Sequence, residues 1–336
     1  MGLFFFYSTL FLAALVLTGL IRHYALATQL LDIPNIRSSH QQPTPRGGGL
    51  SFVMIFCTAL LIGCYWQFLA PRLTFAILSS GILVAALGFI DDRQGLSAGL
   101  RLAGHFAAAA IALYAADHLP VIQILGWTVS NRLFLTGFSL FYLVWLLNLF
   151  NFMDGIDGLA SSEVVFSCLA AVFIYHLQGD FALIYLPLSL AVAVAGFLWW
   201  NFPPAKIFMG DVGSGFLGLI SGLFALQASL VNPHYFWIWL ILLGVFIVDA
   251  SLTLIIRALQ RFAVWEAHCS HAYQQAAKYY KSHRAVTLRV SAINIFWLFP
   301  WALLVSQNIV PPVLATGCAF LPLILIMIKF KAGRVI

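Results

Sequence analysis

Eleven mostly apolar stretches, each about as long as a bilayer is thick, follow one another along the chain: 2–21, 48–69, 73–90, 102–119, 133–150, 158–177, 181–199, 214–231, 235–256, 286–306 and 310–328. An α-helix rises about 1.5 Å per residue, so a hydrocarbon core of about 30 Å needs roughly 20 such residues. Within that core every backbone N–H and C=O must be bonded internally, which makes helices the expected form. Composition agrees: 62% of residues are hydrophobic and 8% are charged, whereas a soluble domain carries about 25% charged residues. The expected fold is all-α, a polytopic integral membrane protein of about eleven transmembrane helices forming a single domain over 1–336. A soluble enzyme, a disulfide framework and a disordered chain are excluded, because there is too little polar surface for any of them. Cys57, Cys64, Cys168, Cys269 and Cys318 are scattered through apolar runs without ligand spacing and read as packing residues. The first stretch has no basic leader or small-residue cleavage site, so it reads as a retained span.

Orientation follows from the cations. The odd-numbered connections (22–47, 91–101, 151–157, 200–213, 257–285) and the tail hold 15 of the Lys and Arg residues, counting Arg289 at the edge of the tenth stretch. Only Arg72 and Arg132 lie on the other side, a split of 15 to 2. The positive-inside rule places the richer side in the cytoplasm, with the N-terminus outside and the C-terminus inside. The expected location is the inner membrane, with the working face toward the cytoplasm. Asp32, Asp91, Asp92, Asp154, Asp157, Glu163, Asp211 and Glu266 lie in or beside those same connections. Orientation does not demand that bias, so several loops are expected to build one acidic site. The net charge of +6 fits a membrane surface and anionic substrates. No compact basic domain exists to bind nucleic acid.

Five constellations carry chemistry. Gly88-Phe89-Ile90-Asp91-Asp92-Arg93 sets two adjacent carboxylates at a membrane boundary, where they repel unless a cation intervenes. They suit Mg²⁺, which takes oxygen ligands and keeps substrate phosphates in its shell; Mn²⁺ is an expected substitute. Asn148-Leu149-Phe150-Asn151-Phe152-Met153-Asp154-Gly155-Ile156-Asp157-Gly158 gathers oxygen ligands and turn residues, with Asp154 and Asp157 at a helical i, i+3 spacing. Asn201 through Gly215 contains Phe208, Met209, Gly210 and Asp211, whose glycines admit a phosphate to a helix start. Glu266-Ala267-His268-Cys269-Ser270-His271 puts two imidazoles three apart, expected to share one face of a short helix and to suit phosphate or, less readily, a transition metal. Asp32 through Gly49 holds Arg37, His40 and Arg46 in a Pro/Gly-stiffened loop that could clasp a phosphate; a plain positive-inside loop explains those charges equally but leaves the triple glycine Gly47-Gly48-Gly49 unexplained.

Together these motifs resemble the polyprenyl-phosphate N-acetylhexosamine-1-phosphate transferases, glycosyltransferase family 4, over Asp32 to about His283. The resemblance implies transfer of a sugar-1-phosphate from a UDP-sugar to undecaprenyl phosphate, with release of UMP and with Mg²⁺. It implies that Asp91 and Asp92 match the metal-and-phosphate pair, that Asp154 and Asp157 match catalytic loop acids, and that Asp211 matches a Mg²⁺ ligand. Asn201 and Phe208 match positions that hold or stack the uracil nucleotide, and His268 and His271 match a histidine motif near the donor. Arg37, His40, Arg101, Asn148 and Asn151 complete the expected substrate-binding set, and a homodimer is the expected assembly. Two departures bear on substrate. Gly95 stands where many relatives have a lysine, so a phosphate contact must come from Arg93 or Arg101. The sparse histidine motif argues against a muramoyl-pentapeptide donor and points to a 6-deoxy N-acetylhexosamine, such as N-acetylfucosamine or N-acetylquinovosamine, used to initiate O-antigen or a related lipopolysaccharide glycan. The competing class is an ion-coupled secondary transporter, for which Asp249 within the ninth stretch is the best argument.

Overall fold

The computed structural model describes residues 2–34, 42–116, 119–124, 126–262 and 268–334. In chain order its helices are α1 (Gly2–Ala27), α2 (Gly49–Tyr65), α3 (Pro71–Gln94), α4 (Ala98–Ala116), α5 (Arg132–Met153), α6 (Leu159–Gln178), α7 (Tyr185–Asn201), α8 (Asp211–Ser229), α9 (His234–Leu242), α10 (Gly244–Leu259), α11 (Ala272–Tyr280), α12 (His283–Ile293), α13 (Phe299–Ser306) and α14 (Pro312–Lys329). A five-residue π-helical turn, Asn294–Leu298, joins α12 to α13.

Among the described residues nine helical runs are long and apolar enough to cross a membrane. A tenth exists if α9 and α10 count as one, but they meet at a 73° bend. The straight ninth span expected over 235–256 is therefore corrected: the helix breaks at Leu243-Gly244, and glycine is a common site of such bends. The remaining expected span, 48–69, is the 17-residue apolar helix α2, about 26 Å long at the usual rise. The all-α expectation needs one small amendment. Two antiparallel ladders of two residues each occur, Leu31–Asp32 with Thr44–Pro45 and Gln123–Ile124 with Trp127–Thr128.

The helix at the centre is α8, with 94% of its apolar window inside the protein. It packs on α5, α3, α2 and α9. Without a hydrophobic force between helices in lipid, small residues that let backbones approach are what hold such seams together. A methyl on Gly218 would lie 2.4 Å from the Leu146 carbonyl oxygen of α5. One on Gly88 of α3 would lie 2.3 Å from the carbonyl oxygen of Asp211, and one on Gly49 of α2 would lie 2.5 Å from Gly213 Cα. The first loop is stitched to the same place. Gly48 and Gly49 donate N–H bonds to Phe208 and Met209 carbonyls, and Phe208 donates to Pro45. This accounts for the triple glycine: it is where α2 is laid against the start of α8.

Candidate active site

Asp91 and Asp92 end α3, where the helix dipole disfavours negative charge. Each is compensated from elsewhere. Asp92 pairs with Arg46 at 2.5 Å and accepts N–H bonds from Asp211 (3.1 Å) and Val212 (3.5 Å) at the start of α8. Asp91 accepts from Leu96 N (2.6 Å) and from Arg101 Nη1 (2.9 Å), and the same Arg101 nitrogen lies 3.8 Å from Asp211 Oδ2. The close approach at Gly88 thus sets three carboxylates around one helix crossing, with Arg46 and Arg101 as their countercharges.

Asp154 and Asp157 lie in the turn between α5 and α6. That turn is not helical, and Gly158 takes φ +70° before α6 begins, so the expected i, i+3 helical spacing is corrected to a tight turn. Gly155 allows it, since a methyl there would strike the Tyr273 hydroxyl at 2.1 Å. Asn201 anchors the far side: its Oδ1 accepts from Gly158 N (3.1 Å) and Ser161 Oγ (2.9 Å), and its Nδ2 donates to the Ile207 carbonyl (3.0 Å). Asp157 Oδ2 accepts from Ala205 N at 2.9 Å, and Oδ1 lies 3.0 Å from His283 Nδ1. The Asp154 carboxyl accepts no hydrogen bond from a described residue. Burial pushes it well above the usual carboxylate range, and the charges of Asp211, Asp92 and Asp157 push it the same way.

These groups face a cleft of about 210 Å³ lined by Asp32, Arg46, Asp92, Asp154 to Asp157, Asn201, Phe208 to Asp211, Gln274 and His283. A family model described as glycosyl transferase family 4 matches residues 74–229. A Bacillus subtilis (strain 168) protein named "Probable undecaprenyl-phosphate N-acetylglucosaminyl 1-phosphate transferase" is 30% identical over 311 residues, 89% of this chain and 84% of that one. The chain belongs to glycosyl transferase family 4. Further family 4 similarity runs to a decaprenyl-phosphate N-acetylglucosaminephosphotransferase of Mycolicibacterium smegmatis, 34% identical over 61% of this chain and 55% of that protein. A phospho-N-acetylmuramoyl-pentapeptide-transferase of Streptococcus pyogenes serotype M5 is 33% identical over 62% of this chain and 65% of its own length. The matched family segment holds the five acids, Asn201 and Phe208, but neither Arg46 nor His283.

Of the residues expected to act in this family 4 protein, Asp92, Asp154, Asp157, Asp211, Asn201 and Phe208 meet at the cleft. Asp91, Arg101 and Asn151 lie immediately behind it, around a void of about 10 Å³, with Asn151 accepting from Ser214 Oγ at 2.5 Å. Asn148 bonds its own helix at the Val144 carbonyl. Arg37 and His40 lie outside the described residues, as does Glu266. The histidines differ most from expectation. His268 and His271 stack their rings at 4.9 Å in a non-helical stretch, and His271 is the N-cap of α11 rather than a member of it. His271 Nδ1 lies 3.3 Å from Asp249 Oδ1, and Asp249 also accepts from Ala272 N and Tyr273 N at 2.9 Å. Asp249 therefore caps α11, which removes the main argument for a transporter. Burial, with the neighbouring His271 and Arg257, lowers the His268 pKa to about 4. The same segment reaches the cleft through Gln274 and His283 instead. No spacing signal in the sequence singled out either one.

Among the described residues no trio of His, Cys, Asp or Glu converges as a closed metal site. Mg²⁺ does not require one, because it keeps several waters and takes one or two carboxylates plus substrate phosphates. The donor set fits it: Asp154 has no donor among the described residues, Asp211 lies beside it, and the cleft has more carboxylates than the two arginines can balance. Asp91 and Asp92, expected as ligands, are here held by Arg101 and Arg46.

Proposed function

We propose that this chain transfers an N-acetylhexosamine-1-phosphate from a UDP-sugar to undecaprenyl phosphate, releasing UMP. The observation that carries the reading is the cleft in which Asp92, Asp154, Asp157 and Asp211 face Arg46 at the mouth of an apolar helix bundle. It suits a diphosphate donor meeting a phosphate carried on a lipid tail. An oxygen of the acceptor phosphate attacks the sugar-bearing phosphorus, the bond to the bridging oxygen breaks, and UMP leaves with that electron pair. The acceptor is already anionic near neutral pH, so the chain's task is positioning and charge stabilisation rather than strong base catalysis. Arg46 and Arg101 fix Asp92 and Asp91 around the α3–α8 crossing, Phe208 offers a face for the uracil, and Asn201 holds the loop that presents it. Mg²⁺, or Mn²⁺ in its place, supplies neutralisation of the pyrophosphate when bound beside Asp154 and Asp211.

The reading includes eleven spans, with α2 as the shortest, the N-terminus outside, and the cleft at the cytoplasmic face of the inner membrane, supported by the 15 to 2 distribution of cations. For the donor sugar, the sparse His268–His271 motif supports a 6-deoxy N-acetylhexosamine such as N-acetylfucosamine or N-acetylquinovosamine, at the start of O-antigen or related glycan synthesis. A second reading, N-acetylglucosamine, is favoured by the names of the Bacillus and Mycolicibacterium relatives. UMP release from a panel of UDP-sugars, with undecaprenyl phosphate and Mg²⁺ in detergent, tests both. Asp211→Asn should remain folded and lose most turnover, because an amide is a weaker Mg²⁺ ligand. Absence of UMP release from every donor, or full turnover in the Asn variant, would overturn the reading.

A further inference from the structure

His283 is the first residue of α12, which starts after the N-cap Ser282, whose Oγ accepts from Ala285 N at 3.2 Å. Its Nδ1 lies 3.0 Å from Asp157 Oδ1 and 3.5 Å from Asp157 N. One nitrogen cannot donate to the first and accept from the second. The shorter contact, to a carboxylate, decides for donation. One turn later on the same face, Thr287 donates to the Asp157 carbonyl at 2.9 Å. Further along, Asn294 donates to Glu163 of α6 at 2.5 Å. The run from α12 is therefore fastened along the helix that begins just after Asp157. With Ala205 N on Oδ2, the Asp157 carboxyl is held on both oxygens and its main chain from a third side.

We propose that His283 is a positioning residue for Asp157, holding that carboxyl in the cleft orientation needed for sugar-phosphate transfer; the inference rests on the transferase reading above. Its reach is short and its origin rigid: an imidazole on the first turn of a capped helix has few ways to move, whereas Asp157 sits in a glycine-flanked turn. Without the Nδ1–H, Asp157 Oδ1 would lose its 3.0 Å contact with α12, while Ala205 N would still hold Oδ2. Small misplacements of this kind at a reacting centre reduce turnover more than binding.

The test compares wild type, His283→Ala and His283→Asn in detergent, measuring UMP release with undecaprenyl phosphate, Mg²⁺ and the best UDP-sugar of the panel. His283→Ala should lower kcat about ten- to a hundred-fold, with the donor KM nearly unchanged. His283→Asn, whose amide brings an N–H close to the Nδ1 position, should recover most of the loss. Wild-type kcat in His283→Ala, or an Asn variant as slow as the Ala variant, would overturn the proposal. A second measurement does not depend on activity. In ¹⁵N-histidine-labelled protein, the Nδ1 proton of His283, assigned by its loss in His283→Asn, should be strongly downfield and should move upfield in Asp157→Asn. Absence of that proton, or its indifference to Asp157→Asn, overturns the positioning role; a wild-type chain inactive with all donors speaks against the transferase reading alone, and the proton then decides this one.

Discussion

Gly88→Ala concentrates the reasoning about the α3–α8 crossing in one methyl group. Its Cβ would lie 2.3 Å from the Asp211 carbonyl oxygen, 2.4 Å from that carbonyl carbon and 2.5 Å from Val212 N, all backbone atoms. Non-bonded carbon contacts settle near about 3.5 Å, so the helices must part by about 1 Å. Asp92 receives Asp211 N at 3.1 Å and Val212 N at 3.5 Å, and both pass out of hydrogen-bond range on such an opening. Overpacking costs about 1–3 kcal/mol, and a hydrogen bond to a charged group contributes about 1.5–3 kcal/mol. The variant should therefore unfold several degrees earlier in detergent. Turnover should fall about a hundred-fold, since a misplacement of about 1 Å is enough for that. Gly137→Ala on α5, where an added methyl meets nothing within 4 Å, is the control and should change neither quantity. The assay is UMP release at saturating donor, beside a thermal melt of each purified variant. Undiminished turnover in Gly88→Ala would refute the claim that this crossing sets the spacing of Asp92 and Asp211.

Asp249→Ala should destabilise the protein by about 3 kcal/mol or more, because it strips partners from Ala272 N, Tyr273 N and the Thr253 hydroxyl; an unchanged melt would refute the capping role. His268 binds fewer protons in the folded chain than in the unfolded one between about pH 4 and about 6.5. Its contribution is thus complete above the upper value and lost as pH falls through the window. His268→Gln should flatten that acid-side loss, and an unaltered slope would count against the burial that causes it. In a cysteine-free background, a membrane-impermeant thiol reagent should label a Cys at Asn232 in intact cells and miss one at the exposed Lys278; the opposite pattern would reverse the orientation.

The spans were legible because lipid leaves a chain few choices: twenty apolar residues in a row must form a helix, and the boundaries of α5, α6 and α14 follow. The acids were legible because carboxylates are costly at a membrane boundary unless a countercharge meets them, and Asp91-Asp92, Asp154, Asp157 and Asp211 stand at the ends of those stretches. Their partners were not. Arg46 meets Asp92 across 46 residues and His283 meets Asp157 across 126, separations at which packing alone decides who meets whom. The histidine pair misled for a local reason. Three-residue spacing suggests one helical face, but Asp249 takes the first amides of α11, so the helix starts only after His271. The bend at Leu243 was equally hidden, since α9 and α10 are apolar on both sides of it.

The order in which the cleft's walls occur along the chain has a consequence for biogenesis. Arg46 precedes Asp92, whereas the imidazole that meets Asp157 Oδ1 comes in α12. A chain made and inserted from its N-terminal end can close the α3–α8 half of the cleft while still tethered to the ribosome. The His283 contact on the other half waits until α12, in the last sixth of the polypeptide, has been made. The nascent protein therefore carries its acids long before they are steadied, and the finished cleft is a late product of insertion, a property that truncations ending before Ser282 would expose.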